Sequence, residues 1–356
     1  DVLEVEQTFV FADMPEKPVP SLLRGFSAPV KLNYDYSREE LMFLMKHDTD
    51  GFNRWDAAQR LSQRILLGLV GSPDFAIPDG YIEACRQALN DGADKQLLAE
   101  VLTLPSESYL GDLMTQVDVD GIHRARERLK RVLAERLYDD LLNCYHSNSE
   151  QGEYDLSPDA IGRRALKNLA LSYLVQADRA EGIELCMSQY RQATNMTDML
   201  AALSLVADTD SPAADELLED FYQRWQSDPL VVDKWFTVQA IAKRADTLER
   251  VKGLLEHPAF SITNPNKVRA LIGAFCAGNV VRFHDVSGAG YRFLVDQIIT
   301  LDSLNPQVAA RMLRIISRWQ RYDEQRQTLM REQLQRILDS HQISKDLYEI
   351  VSKSLA

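Results

Sequence analysis

The stretch Glu127 to Leu141, ERLKRVLAERLYDDL, decides how this chain folds. Leu129, Val132, Leu133, Leu137 and Leu141 recur at three- and four-residue intervals, so at 100° per residue they gather on one side of an α-helix. Glu127 and Arg131 sit one turn apart on the wet side, the spacing of a stabilising pair. The same period extends in both directions. Upstream, Ser37 followed by Glu40 is a capping box that opens a first helix. Downstream, Ser157 and Pro158 supply a cap and a first-turn proline ahead of Leu166, Leu169, Ala170, Tyr173 and Leu174. Helices follow to Ala356, interrupted only by short breaks such as Thr209–Pro212, Ser227–Pro229 and Ser261–Asn266. There is no strict repeat period and no low-complexity linker. Consecutive amphipathic helices with short connections over roughly 320 residues predict a mainly α protein of stacked antiparallel pairs, an irregular α-solenoid.

Residues 1–36 carry a different period. Leu3, Val5, Phe9 and Phe11 alternate with polar positions, as do Val30, Leu32, Tyr34 and Tyr36, with the proline-rich segment Pro15–Pro20 between the two runs. Period-two alternation is the pattern of strands with one buried face. Two or three strands cannot close a β-sandwich, so this short N-terminal β segment is expected to be incomplete and to leave an exposed sheet edge. Two units result: 1–36, the last strands of a truncated β-sandwich, and 37–356, a single helical domain. A chain that opens at Asp1 and runs directly into strand-like sequence reads as a fragment.

Composition narrows the function classes. A hydrophobic content of 45% with 26% charged residues is that of an ordinary globular protein. With 40 Lys and Arg against 53 Asp and Glu, the net charge is −13, which argues against nucleic acid or an anionic membrane as partner. Cys85, Cys144, Cys186 and Cys276 lie far apart in apolar stretches, as buried thiols of a reducing compartment do. No apolar run reaches the roughly 18–20 residues that span a bilayer.

Catalytic patterns are missing. A zinc peptidase needs two imidazoles on one helical face with a carboxylate base, as in H-E-x-x-H. The histidines here, His47, His123, His146, His257, His284 and His341, form no such pair and read as isolated surface or cap residues. No G-x-S-x-G elbow occurs, and Ser287–Gly290 (SGAG) lacks the lysine of a phosphate loop and reads as a turn. Asp139-Asp140 and Glu219-Asp220 read as solvated helix faces, and Trp225, Trp235 and Trp319 as core. Two distal segments stand out: Asn264–Phe275 (NPNKVRALIGAF) and Asn305–Arg311 (NPQVAAR), each with an Asn cap and a first-turn proline. In the second, Val308, Met312, Ile315 and Trp319 form the apolar stripe, and Gln307, Arg311 and Arg318 share one flank. That flank suits either a ligand groove or a salt-bridged surface.

Several strings here resemble the bacterial aminopeptidase N family of gluzincin-type zinc alanyl aminopeptidases. They are Ser21–Leu32 (SLLRGFSAPVKL), Arg54–Gln59 (RWDAAQ), the two Asn-Pro segments, Arg321–Arg326 (RYDEQR) and the ending Asp346–Ala356 (DLYEIVSKSLA). The resemblance runs along essentially the whole chain and is to the family's C-terminal region. It implies that residues 1–36 end a β-sandwich and that 37–356 form a superhelical bowl capping an active site and shaping the cavity through which peptides enter. It implies zinc and a catalytic domain upstream in the same polypeptide, carrying G-A-M-E-N and H-E-x-x-H, with no cofactor bound by the present part. By the same resemblance Arg269, Gln307 and Arg311 contact peptide on the primed side of the cleft, as guanidinium groups suit carbonyls and carboxylates. A cytoplasmic monomer that acts on peptides with basic or small apolar N-terminal residues is implied, with no nucleic acid or membrane partner. The competing reading is an independent α-solenoid that binds a protein partner, which would call for a complete first domain and a large exposed apolar patch.

Overall fold

The computed structural model describes residues 4–92, 94–149, 154–177, 180–340 and 343–356. Among these residues the regular structure is entirely helical. The α-helices are α1 Arg38–His47, α2 Gly51–Gly71, α3 Asp79–Leu89, α4 Lys95–Leu102, α5 Glu107–Asp112, α6 Val119–Arg136 and α7 Tyr138–Ser147. Next come α8 Pro158–Gln176, α9 Ala180–Gln192, α10 Met196–Ala207, α11 Ala213–Trp225, α12 Pro229–Ile241, α13 Thr247–Leu255 and α14 Pro265–Val268. The last are α15 Val280–Phe283, α16 Ala289–Leu304, α17 Pro306–Leu313, α18 Glu324–Leu338 and α19 Lys345–Leu355. A π-helix, Arg269–Gly278, continues directly from α14, and a 3₁₀ turn covers Trp319–Arg321.

Capping chemistry sets where these helices begin. Ser37 Oγ accepts from the Glu40 amide at 3.1 Å while Glu40 Oε2 accepts from the Ser37 amide at 2.7 Å, completing the expected box. Ser157 accepts from Ala160 N at 3.3 Å ahead of Pro158, and Asp50, Asp94, Asp118 and Asp323 cap α2, α4, α6 and α18 in the same way. Each cap supplies about 1 kcal/mol by satisfying an amide that the helix cannot. No helix of the described residues is long and apolar enough to cross a membrane.

Helices adjacent in sequence stack on one another, α1 on α2, α7 on α8, α9 on α10, α16 on α17, which makes the solenoid. The stripe that begins in α6 buries Leu129 and Leu133, but the helix stops at Arg136 and α7 carries Leu141. Glu127 turns away from Arg131. Its carboxylate accepts from Lys243 Nζ at 2.9 Å and from Gln176 Nε2 at 2.7 Å, linking α6 to α8 and to the loop after α12. The four cysteines are buried and free, and burial pushes the Cys144 thiol up to about 11 and those of Cys85 and Cys186 up to about 12.

The solenoid closes on itself. Val117 N donates to Arg321 O at 2.7 Å, and Arg321 reaches back to Asp112 at 2.7 Å, Gly111 O at 2.8 Å and Met114 O at 2.9 Å. These contacts join α5 and α6 to the turn between α17 and α18, across more than half of the chain.

The N-terminal segment departs from the alternation read in its sequence. No strand is paired among residues 4–36, and the expected sheet edge does not form; Leu3 lies outside the described residues. Backbone N–H and C=O groups of a strand need a neighbour, and no described segment supplies one, so Val5, Phe9, Val10 and Phe11 stand exposed. Residues 20–36 instead lie along α1 and α2. Arg24 holds Asp48 at 2.6 Å and Thr49 at 2.7 Å, the Gly25 amide donates to Asp50 at 2.9 Å, and buried Tyr36 donates to Pro20 O at 2.9 Å.

Candidate functional site

Asn264 caps the single turn of α14 by accepting from the Asn266 amide at 2.9 Å, with Pro265 first in the helix. The chain then widens into the π-helix that begins at Arg269, a geometry that is rare in this length and concentrated at functional sites. Arg269 is exposed, and its guanidinium bonds Asn266. Lys267 does the opposite: it is 6% exposed and fixed by Asp233 at 2.8 Å and Pro229 O at 3.0 Å, over the Phe236 ring. Asn305 caps α17 through the Val308 amide at 3.2 Å, and Gln307 and Arg311 point to solvent.

Pro265, Val268, Leu301, Leu304, Asn305 and Val308 line one cavity of about 110 Å³, so the first turns of α14 and α17 adjoin. Arg269 follows Pro265 by four residues and Arg311 follows Val308 by three, which sets both side chains on the turns around that cavity. Among the described residues no hydrogen bond or ion pair joins Arg269, Gln307 and Arg311. Arg318 does not share their helix. After Leu313 the chain tightens into three-residue turns, Ile315 N to Met312 O and Ile316 N to Leu313 O, both 3.1 Å, so the 100° rule no longer applies. Of the predicted stripe, Met312 is buried while Trp319 is partly buried and donates to Ser354 O at 2.8 Å.

A larger cavity of about 260 Å³ opens where the solenoid closes. Glu107, Asp112 and Ile122 line one wall, and Val280, His284, Arg314, Arg318 and Tyr322 the other. Behind it lies a buried network. His284 bonds the Tyr291 hydroxyl through Nδ1 at 2.9 Å and the Tyr322 hydroxyl through Nε2 at 3.2 Å, with its ring stacked on Tyr322. Burial, reinforced by the Arg326 charge, pushes the imidazole down to about 3, so it is neutral. Arg326, 4% exposed, donates to His284 O at 2.7 Å and to Asp323 and Asp120, each at 2.8 Å. His284 was expected at the surface or at a cap, and it does cap α15, its amide donating to Val280 O at 3.0 Å, but its side chain is buried. Nothing in its local sequence marks it as core, because its partners come from 7 and 38 residues away. Arg314 was missed as well, and Arg321 entered only as part of a string that carries family resemblance.

A third cluster runs along α6, where His123, Arg126, Glu127 and Lys130 share one face. His123 Nδ1 meets Glu107 Oε1 at 2.9 Å, and Arg126 donates to Pro105 O at 2.7 Å. Burial raises the Glu107 carboxyl, but the His123 bond and nearby cations outweigh it and hold the group below the usual range. Burial, with the Lys243 charge beside it, pushes the Lys130 amine down to about 8. Asp208 rises through burial. The charges of this row are mutually compensated, which suits a structural seam. Nor do the acids Asp140 and Asp220 stand free on solvated faces: Arg86 and Asn90 hold the first, Tyr190 and Arg224 the second. Among the described residues no group of three or more His, Cys, Asp or Glu side chains could hold a metal ion; His341 lies outside them.

Comparison with known proteins identifies the family. The family described as "Domain of unknown function (DUF3458_C) ARM repeats" matches residues 38–356, and "Domain of unknown function (DUF3458) Ig-like fold" matches residues 1–35. The chain is 42% identical over 362 residues to aminopeptidase N of Escherichia coli (strain K12), a match that takes in all of this chain and 41% of that protein. It is 41% identical over 360 residues to aminopeptidase N of Haemophilus influenzae, again all of this chain and 41% of the relative. Among solved structures, the crystal structure of Legionella pneumophila aminopeptidase A in complex with aspartic acid is similar with a TM-score of 0.88 at 34% identity, covering 97% of this chain and 41% of that one. The chain thus spans about two fifths of the length of these relatives. The armadillo-repeat description agrees with the helical solenoid drawn from the sequence.

Proposed function

Because the chain belongs to the family described as DUF3458_C ARM repeats and is similar along its length to the C-terminal region of bacterial aminopeptidase N, we propose that it is the non-catalytic helical part of a zinc-dependent aminopeptidase. The observation that carries this reading is the full-length match at 42% identity that accounts for only 41% of the relative. The described residues do not fit a zinc site: the histidines are dispersed, and His284, the most buried of those placed in the core, is committed to two tyrosines. Zinc, the catalytic base and the anchor for the substrate N-terminus are assigned to polypeptide upstream, in the same molecule, beyond an incomplete β-sandwich at 1–36.

In this reading the domain 37–356 caps the active site and shapes the cavity through which peptides enter. Arg269, Gln307 and Arg311 contact the peptide beyond the scissile bond, guanidinium groups bonding backbone carbonyls or a terminal carboxylate. Their exposure and the π-helical start at Arg269 support it, since neither arginine is tied into the core. The whole protein would be a cytoplasmic monomer that removes basic and small apolar N-terminal residues. An independent scaffold for a protein partner is the weaker reading, because the whole chain matches only 41% of aminopeptidase N relatives rather than a protein of its own length.

The test mixes this chain with the separately expressed upstream region and follows cleavage of alanine p-nitroanilide. Restored, chelator-sensitive cleavage is the expected result. Zinc-dependent cleavage by this chain alone, with stoichiometric bound zinc, overturns the assignment.

A further inference from the structure

The cavity at the closure of the solenoid holds chemistry that neither the closure nor the peptide contacts proposed above employ. Its floor is apolar, formed by Val117, Ile122, Val280 and Ile315, and Arg314 and Arg318 stand at its rim. Arg321, in the same row, is fully engaged with Asp112 and two backbone carbonyls. The other two guanidinium groups are not. Among the described residues no acid pairs with Arg314, and Arg318 comes only within 3.8 Å of Asp112, its side chain 75% exposed. Asp112 is already held by Arg321 at 2.7 Å, and Glu107 on the opposite wall is bonded to His123 at 2.9 Å. The acids of the cavity are therefore matched, while two cations remain available beside an apolar floor.

A planar guanidinium fork matches a carboxylate, and two of them set at a rim fix the direction from which it enters. A volume of about 260 Å³ lies below the roughly 300–1,000 Å³ of sites for larger ligands, a size for one or two amino-acid residues. We infer that this cavity binds a free α-carboxylate carrying a short apolar group, the C-terminal residue of a peptide or a single amino acid, with the carboxylate between Arg314 and Arg318 and the apolar group on the floor of Ile122, Val280 and Ile315. The site stands on the cavity itself and does not require the peptidase reading.

The test measures binding of N-acetyl-L-leucine and N-acetyl-L-leucinamide to the intact polypeptide by saturation-transfer NMR and calorimetry. The blocked amine keeps both probes from any centre that needs a free N-terminus. The acid is expected to bind at least about tenfold more tightly than the amide, the scale of hydrogen bonds to a charged group. Arg314→Ala with Arg318→Ala lowers binding of the acid to the level of the amide, and the double lysine variant retains part of it through charge alone. Free L-leucine is the third arm: binding equal to the acetylated acid assigns the site to single amino acids, weaker binding to peptide termini. Both arginines are exposed, so the variants keep their melting temperature within about 1 °C, which guards against misfolding. Equal binding of acid and amide, no binding of the acid at tens of millimolar, or unchanged binding in the double alanine variant overturns the inference.

Discussion

Replacing Arg326 by methionine tests whether closure of the solenoid is structural. The guanidinium is 4% exposed and makes three hydrogen bonds, to His284 O at 2.7 Å and to Asp323 and Asp120 at 2.8 Å. Methionine keeps the apolar stem and removes every donor. Breaking a buried ion pair from one side costs about 3–5 kcal/mol. Asp120 and Asp323 are 41% and 36% exposed and regain water, so the lower end applies, about 3 kcal/mol. The carbonyl of buried His284 does not regain water. An unfolding entropy of about 2.1 cal/mol/K per residue gives a helical region of this size roughly 0.7 kcal/mol/K, hence a fall in Tm of about 4–5 °C. Calorimetry reads the Tm, and hydrogen exchange reads the place. The Val117 amide, which bonds Arg321 O across the seam at 2.7 Å, is expected to lose protection. Amides around the Lys167–Asp198 pair, buried between α8 and α10 at 2.7 Å, are expected to keep theirs. A Tm within 1 °C of the parent, or loss of protection spread evenly over both regions, would refute the argument.

Other perturbations read other parts of the structure. On the proposed reading, Arg311→Ala in the intact polypeptide is expected to weaken longer peptides more than single-residue chromogenic amides, seen in kcat/KM for both; equal losses count against a primed-side contact. His284 is held near 3, below the ordinary value of about 6.5, so its contribution is complete above pH 6.5 and drains as pH falls towards 3. His284→Gln should therefore start less stable at pH 7 but lose about 3 kcal/mol less than the parent between pH 6.5 and 4, by urea titration; parallel losses would exclude this cause. The four buried thiols should resist iodoacetamide at pH 8 in the native protein and react once urea unfolds it; labelling of Cys85 or Cys186 before unfolding would contradict their burial. Gly290→Ala places a Cβ 2.2 Å from Phe283 O, a backbone atom that cannot step aside, and should cost about 1–3 kcal/mol by displacing α16 from α15. A neutral Tm at that position would mean the two helices pack more loosely than described.

The helices were legible because their signals are local. Ser37, Ser157, Asn264 and Asn305 cap where their side-chain chemistry places them, and the 3.6-residue period of α6 names the residues that it buries. What the period leaves open is the surface that receives them. Leu129 is equally apolar whether α6 meets α2, α8 or solvent, and the meeting of α6 with residues 321–326 depends on contacts about 200 positions apart. Arg318 was misplaced because the angular argument assumes one unbroken helix, and the tight turns after Leu313 rotate it out of register. Residues 4–36 pair no strand here for a related reason, although the Ig-like family model matches residues 1–35: alternation specifies which face of a sheet is wet, but the hydrogen bonds that make a sheet belong to a neighbour.

These long-range contacts bear directly on the candidate site. Helix α17 carries Gln307 and Arg311, and only its first end is fixed locally, by the Asn305 cap and by α16. Its far end runs into the turn of residues 314–321, which is anchored by Arg321 on Asp112, Gly111 and Met114 and by the Val117 amide. The direction of α17, and with it the position of Arg311, is thus set partly by α5 and the start of α6. Arg321–Arg326, a string that carries family resemblance without any chemistry of its own, has a physical reason to be there. Arg321 and Arg326 both clamp the seam, and together with the packing of α17 on α16 and α19 they help to fix where Arg311, ten residues before Arg321, is held.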